Sequence, residues 1–251
     1  MIKTAFITGA TSGIGKATAQ LFAKNSVNLV ICGRREAKLK ELEESLSKYV
    51  KIHSLQFDVR NQNDVKNSID SLPDDFKSID VLINNAGNAH GLNPIQEGKI
   101  DDWDAMIDGN VKGLLYVTKA IIPEMIKNKK GFILNIGSIA SKEVYPNGNV
   151  YCASKFAVDA LNKGMRIDLN KHNIRVGAIH PGLVETEFSK VRFKGDTERA
   201  AHVYRGYKAL QPEDIADIIY FVTTRPYHVN IEDLIVYPTA QASATILNKN
   251  V

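Results

Sequence analysis

The sequence predicts an α/β fold, in which helices cover both faces of a parallel β-sheet. Short apolar strands alternate with amphipathic helical segments along all 251 residues. A glycine-rich turn joins the first predicted strand to the first predicted helix, and no linker rich in Pro, Gly or Ser divides the chain. Such alternation is typical of a doubly wound sheet whose ligand crevice lies at the carboxyl ends of the strands. We therefore expect one domain over residues 1–251, built around one crevice.

The apolar pattern gives approximate bounds for each element. Strands are predicted at 4–8, 28–32, 53–57, 81–84, 132–136, 175–180 and 233–237. Helices are predicted near 13–25, 35–48, 61–72, 101–127, 150–172 and 213–224. Pro212 suits the first turn of the last helix, because its missing N–H has no helical partner there. Residues 181–212 show little sheet or core pattern, and we expect a long loop that binds substrate.

The first predicted strand ends in a turn suited to phosphate. Gly9-Ala-Thr-Ser-Gly13-Ile-Gly15 lies between that strand and a helix, which is the context that a nucleotide-binding motif requires. Glycines let the backbone approach a pyrophosphate, and the helix N-terminus offers N–H donors and partial positive charge. The spacing G-x-x-x-G-x-G differs from the commoner G-x-G-x-x-G, and the alternative is an ordinary strand–helix turn. The candidate cofactor contacts here are Gly9, Thr11, Ser12, Gly13, Ile14 and Gly15.

The end of the second strand indicates which dinucleotide is bound. Arg34 and Arg35 stand where an acidic residue would bind the ribose 2′-hydroxyl of NAD. Guanidinium groups match phosphate geometry, so these arginines favour the 2′-phosphate of NADP. The alternative is that one or both are solvated at the start of a helix.

Two further strand ends carry candidate cofactor contacts. Asp58 and Val59 follow the third strand, where the carboxylate suits an adenine amino group; the alternative is that Asp58 caps the helix at 61–72. Asn85, Ala86 and Gly87 follow the fourth strand, where small residues allow close approach of a cofactor; the alternative is a plain turn. Each of the first six strands is followed by a candidate residue: Gly9, Arg34, Asp58, Asn85, Ser138 and Pro181.

A phenol and an ammonium form a candidate acid/base pair. Tyr151 and Lys155 lie one helical turn apart, on the same face. A tyrosine ordinarily titrates near ~10, and a neighbouring cation favours the phenolate and lowers that pKa. The hydroxyl of Ser138 is suited to hold a carbonyl or alcohol oxygen against the phenol. In isolation the pair reads as two solvated helix residues, and the other motifs favour the functional interpretation.

Asn110 and Arg192 are further candidates. Asn110 lies beside the apolar stripe of the 101–127 helix, where an asparagine is disfavoured unless its amide is used. It either distorts the helix or holds a water, or it makes only local hydrogen bonds. Arg192 belongs to a basic stretch of the 181–212 loop, which is either a solvated surface or a site where Arg192 meets a substrate carboxylate. The basic residues of this loop are Lys190, Arg192, Lys194, Arg199, Arg205 and Lys208.

Composition excludes several classes of protein. Hydrophobic residues make up 44% of the chain, and the net charge of +4 is dispersed, so we expect no nucleic-acid partner. No apolar run approaches the ~20 residues of a membrane span, and the six histidines lack metal-ligand spacing. The first strand begins within four residues, which leaves no room for a signal peptide. Cys32 and Cys152 look like free thiols, which indicates a reducing compartment, so we expect a cytoplasmic protein. Because the histidines lack metal-ligand spacing, we expect no metal.

Taken together, these motifs resemble the short-chain dehydrogenase/reductase family. The resemblance rests on Thr8-Gly9-x-x-x-Gly13-x-Gly15, Asn84-Asn85-Ala86-Gly87, Asn110, Ser138 and Tyr151-x-x-x-Lys155, and it covers essentially the whole chain. It implies a Rossmann fold with a seven-stranded parallel sheet in the order 3-2-1-4-5-6-7. It also implies a homotetramer in which the helices bearing Asn110 and Tyr151 pack between subunits.

Within the family the chain resembles the NADP-dependent 3-hydroxy acid dehydrogenases, a group that includes serine and L-allo-threonine dehydrogenases. Four segments carry this narrower resemblance: Gly148–Tyr151, Pro181–Phe188, Val191–Asp196, and His228–Ile231 with Pro238–Gln241. One segment departs from it, because Ser141-Lys-Glu-Val144 replaces the small and aromatic residues expected after Ser138.

The resemblance implies a role for each site residue. Tyr151 is the proton donor and acceptor, Lys155 lowers the phenol pKa and holds the nicotinamide ribose, Ser138 binds the substrate oxygen, and Asn110 anchors a water. The loop after the sixth strand is expected to wrap the nicotinamide end of the cofactor through Pro181, Gly182, Val184, Thr186 and Phe188.

The expected reaction is reversible oxidation of the 3-hydroxyl of a small 3-hydroxy acid, with NADP as cofactor. Serine, allo-threonine, 3-hydroxypropionate and 3-hydroxyisobutyrate are substrates of this type. Two alternatives stay open at this point: another carbonyl or 3-oxoacyl reductase of the same family, and a catalytically silent NADP sensor.

Overall fold

A seven-stranded parallel sheet forms the centre of the molecule. The computed structural model describes residues 2–249. The sheet order is β3-β2-β1-β4-β5-β6-β7, and every neighbouring pair is parallel, so the predicted fold class and strand order are confirmed. The strands are β1 Thr4–Thr8, β2 Asn28–Gly33, β3 Ile52–Gln56, β4 Val81–Asn84, β5 Gly131–Ile136, β6 Ile174–Pro181 and β7 Asp233–Val236.

Ten α-helices connect these strands within residues 2–249. In chain order they are α1 Gly13–Lys24, α2 Glu36–Leu46, α3 Gln62–Asp70, α4 Asp74–Lys77, α5 Ile100–Ile107, α6 Gly113–Lys127, α7 Asn149–Leu169, α8 Phe188–Arg192, α9 Thr197–His202 and α10 Pro212–Thr223. Short 3₁₀ turns lie at Ile95–Glu97, Ile139–Ser141 and Asn170–His172. In the described part of the chain, no helix combines the length and the apolar character that crossing a membrane demands.

Both faces of the sheet are buried under helices. Successive side chains of a strand point to opposite sides, so each strand contributes to both apolar layers. Ile7 of β1 packs with Phe22 of α1 and Ile219 of α10 on one face. Its neighbour Phe6 packs on the other face with Val65 of α3 and Val117 of α6. Two apolar layers therefore hold the strand ends, and the site residues on them, in a fixed arrangement.

A row of buried amides crosses the middle of the sheet near its carboxyl edge. Asn84 donates to Thr118 Oγ1 at 2.9 Å and to Asn135 Oδ1 at 3.0 Å. Asn135 donates to Asn162 Oδ1 at 3.0 Å, and Asn162 donates to the carbonyl oxygen of Glu232 at 3.3 Å. Because buried polar groups need partners, this row links β4, β5 and α7 to the chain just before β7.

The predicted single helix over 101–127 is interrupted. A π-helical turn at Asp108–Lys112 separates α5 from α6, and it contains Asn110. Such turns insert an extra residue into a helix and often lie at functional sites. The helix predicted over 101–127 is therefore present as a helical segment over 100–127, and the proposed distortion at Asn110 is the π turn within it.

The region 181–212 is not wholly irregular. It contains α8 and α9, which are only five and six residues long. Helices this short make little periodic pattern in a sequence, which explains why none was predicted here.

Candidate active site

The carboxyl ends of the strands surround one cavity of about 480 Å³. This volume lies within the range of roughly 300–1,000 Å³ typical of small-molecule sites. All the predicted site residues line the cavity except Gly15 and Asn110, which lie just behind its wall. The predicted residues in the lining are Gly9, Thr11, Ser12, Gly13, Ile14, Arg34, Arg35, Asp58, Val59, Asn85, Ala86, Gly87, Ser138, Tyr151, Lys155, Pro181, Gly182, Val184, Thr186, Phe188 and Arg192.

The turn after β1 has the backbone shape that only glycine adopts readily. Gly9 and Gly13 have φ values of +65° and +51°. A Cβ on Gly9 would lie 3.0 Å from the Cα of Ala86. Gly15 does not face the cavity, because a Cβ there would lie only 2.4 Å from the carbonyl oxygen of Gly9. Its role is therefore to let α1 pack against the turn, as the third glycine of such motifs does.

The two arginines after β2 are held differently. Arg35 donates through Nε and Nη2 to Thr11 Oγ1 at 3.2 and 3.0 Å, and through Nη1 to Glu187 Oε2 at 2.8 Å. Glu187 also accepts from Lys38 at 3.0 Å. Hydrogen bonds from these two cations lower the pKa of Glu187 to about 2, so it is ionised at neutral pH. The Arg34 side chain is 64% exposed, and within residues 2–249 its one ion pair is with Asp58, at 3.7 Å. Of these two arginines, Arg34 is therefore the one whose guanidinium is available to an anion.

Asp58 does not cap the helix that follows it. The N-cap of α3 is Asn61, whose side chain accepts from the backbone N–H groups of Asn63 and Asp64. Asp58 instead accepts from Arg60, with the shortest contact 2.7 Å, and it lines the cavity. The helix-cap alternative for Asp58 was therefore wrong.

The segment after β4 is fastened to β1. Thr8 Oγ1 accepts from the backbone N–H groups of Asn85 and Ala86, both at 2.9 Å. Asn85 Nδ2 returns a hydrogen bond to the carbonyl oxygen of Thr8 at 2.9 Å. A Cβ on Gly87 would lie 2.9 Å from Asn110 Oδ1, so only glycine leaves room for this close approach.

Tyr151, Lys155 and Ser138 meet at the inner end of the cavity. Tyr151 and Lys155 lie one turn apart near the start of α7, where they are only 8% and 7% exposed. Ser138 follows β5, and its Oγ accepts from the backbone N–H of Ala140 at 3.1 Å. That bond fixes the side chain but leaves the hydroxyl hydrogen free to bond a substrate oxygen.

Burial controls the protonation of this pair. It raises the pKa of the Tyr151 phenol well above its ordinary value, with a further rise from Tyr145, against the opposing effects of Ser138 and Arg192. Burial also lowers the pKa of Lys155 to about 8, and its Nζ donates to the carbonyl oxygen of Ile136 at 3.0 Å. The shift at Tyr151 is opposite to the one expected from Lys155, because desolvation outweighs the neighbouring cations in the protein alone.

The amide of Asn110 is fully engaged as a donor. Its Nδ2 donates to the carbonyl oxygen of Asn88 at 2.8 Å and to Ser154 Oγ at 2.9 Å. Its Oδ1 accepts from the backbone N–H of Asn88 at 2.7 Å. Because both Nδ2 hydrogens are used, a water can bind Asn110 only by donating to one of its oxygen atoms. The side chain itself holds the segment after β4 against α7.

Arg192 lies beside the phenol rather than in solvent. Its Nε donates to the carbonyl oxygen of Gly91 at 3.2 Å, and its Cζ lies 5.5 and 5.6 Å from the ring centres of Tyr145 and Tyr151. Its Nη2 is buried and has no hydrogen-bond partner within residues 2–249. The ring of Phe188 packs on Tyr151 at 5.7 Å. The solvated alternative for Arg192 was therefore wrong.

Among the residues of the cavity wall that the sequence did not predict, three make contacts that shape the site: Tyr145, Glu187 and Gln241. Tyr145 belongs to no motif, so nothing in the sequence indicated it. Glu187 and Gln241 lie in segments that carried the narrower resemblance, but their contacts depend on distant parts of the chain. Gln241 accepts from the backbone N–H of Leu183 at 2.9 Å and thereby holds the C-terminal segment against the loop after β6.

Comparison with known proteins identifies what this arrangement is similar to. A family model described as short chain dehydrogenase matches residues 3–197. An NADP-dependent 3-hydroxy acid dehydrogenase of Salmonella typhi is 44% identical over 239 residues, covering 95% of this chain and 96% of that protein. Sulfoacetaldehyde reductase 2 of Chromohalobacter salexigens is 44% identical over 237 residues, covering 94% of each. The closed form of serine dehydrogenase complexed with NADP⁺ superposes with a TM-score of 0.92 at 41% identity, covering 96% of this chain and 97% of that one.

Proposed function

Because the chain belongs to the short-chain dehydrogenase family, we propose that it is an NADP-dependent oxidoreductase that interconverts small 3-hydroxy acids and 3-oxo acids. The observation that carries this proposal is the guanidinium of Arg192 beside the phenol of Tyr151, with a buried donor that no residue in 2–249 satisfies. A 3-oxo acid has its carboxylate one carbon away from the reacting carbonyl. An arginine next to the acid/base residue therefore suits this spacing, because guanidinium and carboxylate form strong paired hydrogen bonds.

The outer part of the cavity supports NADP as the cofactor. The positive-φ glycines and the free N-terminus of α1 suit a pyrophosphate, and the exposed Arg34 suits a 2′-phosphate. Thr186 packs over this turn, since a Cβ on Gly13 would lie 3.2 Å from its Cγ2. When bound, NADP supplies or accepts the hydride, and the protein supplies position and charge.

The inner part supports a proton-transfer role for Tyr151. A tyrosine phenol is protonated at neutral pH, and burial raises its pKa further, so Tyr151 is ready to donate to a carbonyl oxygen during reduction. The free hydroxyl hydrogen of Ser138 would hold that oxygen, and the ammonium of Lys155 would stabilise the phenolate left behind. Asn110 would hold the water through which the proton is replaced. In oxidation the phenolate takes the proton from the alcohol.

We assign substrate closure to the loop 181–212. Phe188 and Arg192, at the two ends of α8, both pack against the Tyr151 ring. Pro181, Gly182 and Val184 line the cavity just before α8. Movement of this loop would admit substrate and then exclude water from the phenol.

A sulfonate is the second candidate for the substrate anion. The relative named sulfoacetaldehyde reductase 2 is as similar to this chain as the hydroxy acid dehydrogenase is. In sulfoacetaldehyde the sulfonate also stands one carbon from the carbonyl, so Arg192 can bind either anion. A reductase of neutral or acyl carbonyls and a silent NADP sensor stay as alternatives, and the buried Tyr151–Lys155 pair argues against the sensor.

The test is a set of carbonyl compounds with NADPH, in which turnover is followed by NADPH absorbance. Three matched aldehydes, namely 3-oxopropionate, sulfoacetaldehyde and neutral propanal, are compared with one ketone, an acetoacetyl thioester. We expect kcat/KM for an anionic aldehyde to exceed that for propanal by about 10–100-fold, the worth of a charged hydrogen bond. Arg192→Met should abolish this preference, whereas Arg192→Lys should keep part of it. An equal kcat/KM for propanal and the anionic aldehydes would contradict the proposal that the substrate is an acid. NADPH binding without turnover of any compound would favour the sensor.

The family resemblance also supports a homotetramer in the cytoplasm. Leu115 on α6 and Phe156 on α7 are 38% and 40% exposed on the two helices expected between subunits. Light scattering on the purified protein would test the assembly, and a monomer at micromolar concentration would contradict it.

A further inference from the structure

An ionic cluster around a buried histidine lies directly behind the Ser138 turn. The imidazole of His180, at the end of β6, is completely buried. Its Nε2 lies 3.4 Å from Asp233 Oδ1 and 3.7 Å from Asp159 Oδ1, and its Nδ1 lies 3.3 Å from the carbonyl oxygen of Ser138. The ammonium of Lys142 bonds both carboxylates, at 2.8 Å to Asp159 and in closer contact with Asp233. Lys163 of α7 also donates to Asp159 Oδ2, at 2.8 Å.

The cluster includes the residue that departs from the family pattern. Lys142 is the second residue of the Ser141–Val144 segment, which does not match the residues expected after Ser138. Asp159, His180 and Asp233 place potential metal ligands within 4.8 Å of one another. Lys142 already occupies the cation position between the carboxylates, so a metal ion would have to displace it. The arrangement is therefore better understood as an ion-pair network than as a metal site.

His180 is pressed against the turn that carries Ser138. Gly137 donates its N–H to the carbonyl oxygen of Ile179 at 2.8 Å, which brings β5 and β6 together at this point. A Cβ on Gly137 would lie 2.3 Å from His180 Nδ1, so the ring packs directly against the backbone of Gly137, and only glycine leaves room for it. A change in the position or charge of the ring must therefore move the backbone of Ser138.

The surroundings of His180 consist of acceptors on both sides. The carbonyl oxygen of Ser138 faces Nδ1, and the carboxylates of Asp159 and Asp233 face Nε2. A neutral imidazole has one N–H and can satisfy only one side, whereas an imidazolium would satisfy both. Lys142 opposes the imidazolium by placing a positive charge among the same carboxylates. Burial first and Lys142 second lower the pKa of His180, and Asp233 and Asp159 act in the opposite direction.

We propose that His180 is a positioning residue for Ser138, and that the Lys142 ammonium keeps its imidazole neutral by neutralising Asp233 and, together with Lys163, Asp159. Without Lys142, Asp233 would lose its cation and would draw a proton onto His180, which would then face Ser138 with one N–H and Asp233 with the other. The proposal extends the proposed function, because it concerns the group that holds the substrate oxygen. The proposal has two components: a charge component, that Lys142 keeps His180 neutral, and a positioning component, that His180 places Ser138. The charge component can be tested without any substrate.

The charge component is tested by histidine NMR. The signal of His180 is assigned by its absence in His180→Asn and is followed through neutral pH in three proteins: wild type, Lys142→Met and Lys142→Arg. We expect a neutral ring in the wild type and in Lys142→Arg, and a protonated ring in Lys142→Met at neutral pH. A ring that stays neutral in Lys142→Met overturns this component, whether or not the protein turns over any aldehyde.

The positioning component is tested by two variants of similar shape. Asparagine at 180 retains a donor near Nδ1, whereas leucine has the same shape without a donor. On the best aldehyde of the matched set, we expect His180→Leu to lower kcat by about 10–100-fold, the cost of a displaced reacting group, with an unchanged dissociation constant for NADPH. His180→Asn should recover most of this loss.

Lys142→Met adds a pH readout that a purely structural role would not produce. Its kcat should acquire an ionisation that coincides with the NMR titration of His180 and that is absent from Lys142→Arg. Equal kcat values for His180→Asn and His180→Leu, or no new ionisation in Lys142→Met, overturn the positioning role. If the wild type turns over none of the aldehydes, the proposed function fails, and so does the positioning role that rests on it, while the NMR result still decides the charge component.

Discussion

The two ends of the cavity are built in different ways. At the nucleotide end, the turn suited to the pyrophosphate is built from backbone and small residues within one short segment, Gly9–Gly15, supported by Thr8. At the substrate end, they come from long side chains that meet across the fold: Arg192 donates to Gly91, which is 101 residues away in the chain. The comparison teaches that a phosphate site can be recognised from local sequence, whereas the substrate site depends on tertiary packing. Substitutions at the two ends should therefore have separable effects, whereas Lys155 and Glu187 contribute to both.

The largest expected effect is at the substrate end. Tyr151→Phe removes only the phenol oxygen, so kcat should fall by at least 10²–10⁴-fold, the usual worth of positioned proton transfer. The dissociation constant for NADPH, measured by fluorescence titration, should stay within about twofold. Near wild-type turnover in this variant would contradict the acid/base assignment.

A smaller effect is expected at the nucleotide end. Replacing Arg34 and Arg35 together with alanine should raise KM for NADP by about 10–100-fold through loss of charged hydrogen bonds, and should change KM for NAD far less. Arg34→Ala alone should account for most of this change, because Arg35 is already bonded to Thr11 and Glu187. Equal effects on both cofactors would argue against 2′-phosphate recognition.

The pH dependence connects the two ends. The pKa of Lys155 is lowered to about 8, so the ammonium is present below that pH and is lost as pH rises through it. Since the cation favours both the anionic cofactor and the phenolate, kcat/KM for NADPH should decline above about pH 8, by up to tenfold per unit. A profile that stays flat through this range would show that Lys155 keeps its charge in the free enzyme.

The smallest effect concerns the contact between the loop and the nucleotide end. Glu187→Gln removes the carboxylate that binds Arg35 and Lys38, so Arg35 becomes available to a 2′-phosphate. KM for NADP should fall by about two- to threefold, the scale of an exposed ion pair, while kcat is little changed. Glu185→Gln, two residues earlier in the same loop, is the matched control. A rise in KM would indicate that the ion pair holds the loop over bound cofactor.

The same contrast explains what could be predicted from the sequence. The strands and the Gly9–Gly15 turn could be predicted because they are local patterns, whereas the sheet order was implied by the family resemblance; the sheet order and the family are both confirmed. The break at Asp108–Lys112 was hidden, because α5 and α6 continue one apolar stripe across it. The predicted site residues converge on the cavity, while their catalytic roles stay predictions. Tyr145 and Glu187 were missed, since only the folded chain brings Tyr145 to Arg192 and Glu187 to Arg35.

The protonation of the site illustrates a second limit of sequence reasoning. The spacing of Tyr151 and Lys155 suggested a lowered phenol pKa, but both side chains are buried and desolvation reverses the shift in the protein alone. The degree of burial depends on Phe188 and Arg192, which arrive from the loop after β6. A pattern of residue types therefore indicates which groups react, while packing decides their protonation.

The amide row through Asn84, Asn135 and Asn162 constrains which substitutions this protein can accept during evolution. Each amide donates to the next in one direction, ending at the carbonyl oxygen of Glu232. Replacing one member with an apolar residue leaves its neighbours without partners, at a cost of about 1–3 kcal/mol for each buried group, and replacing an adjacent pair still does so at the two ends of the pair. In a randomised library, survivors at these positions should therefore carry coordinated substitutions, and the row should drift as a unit or not at all.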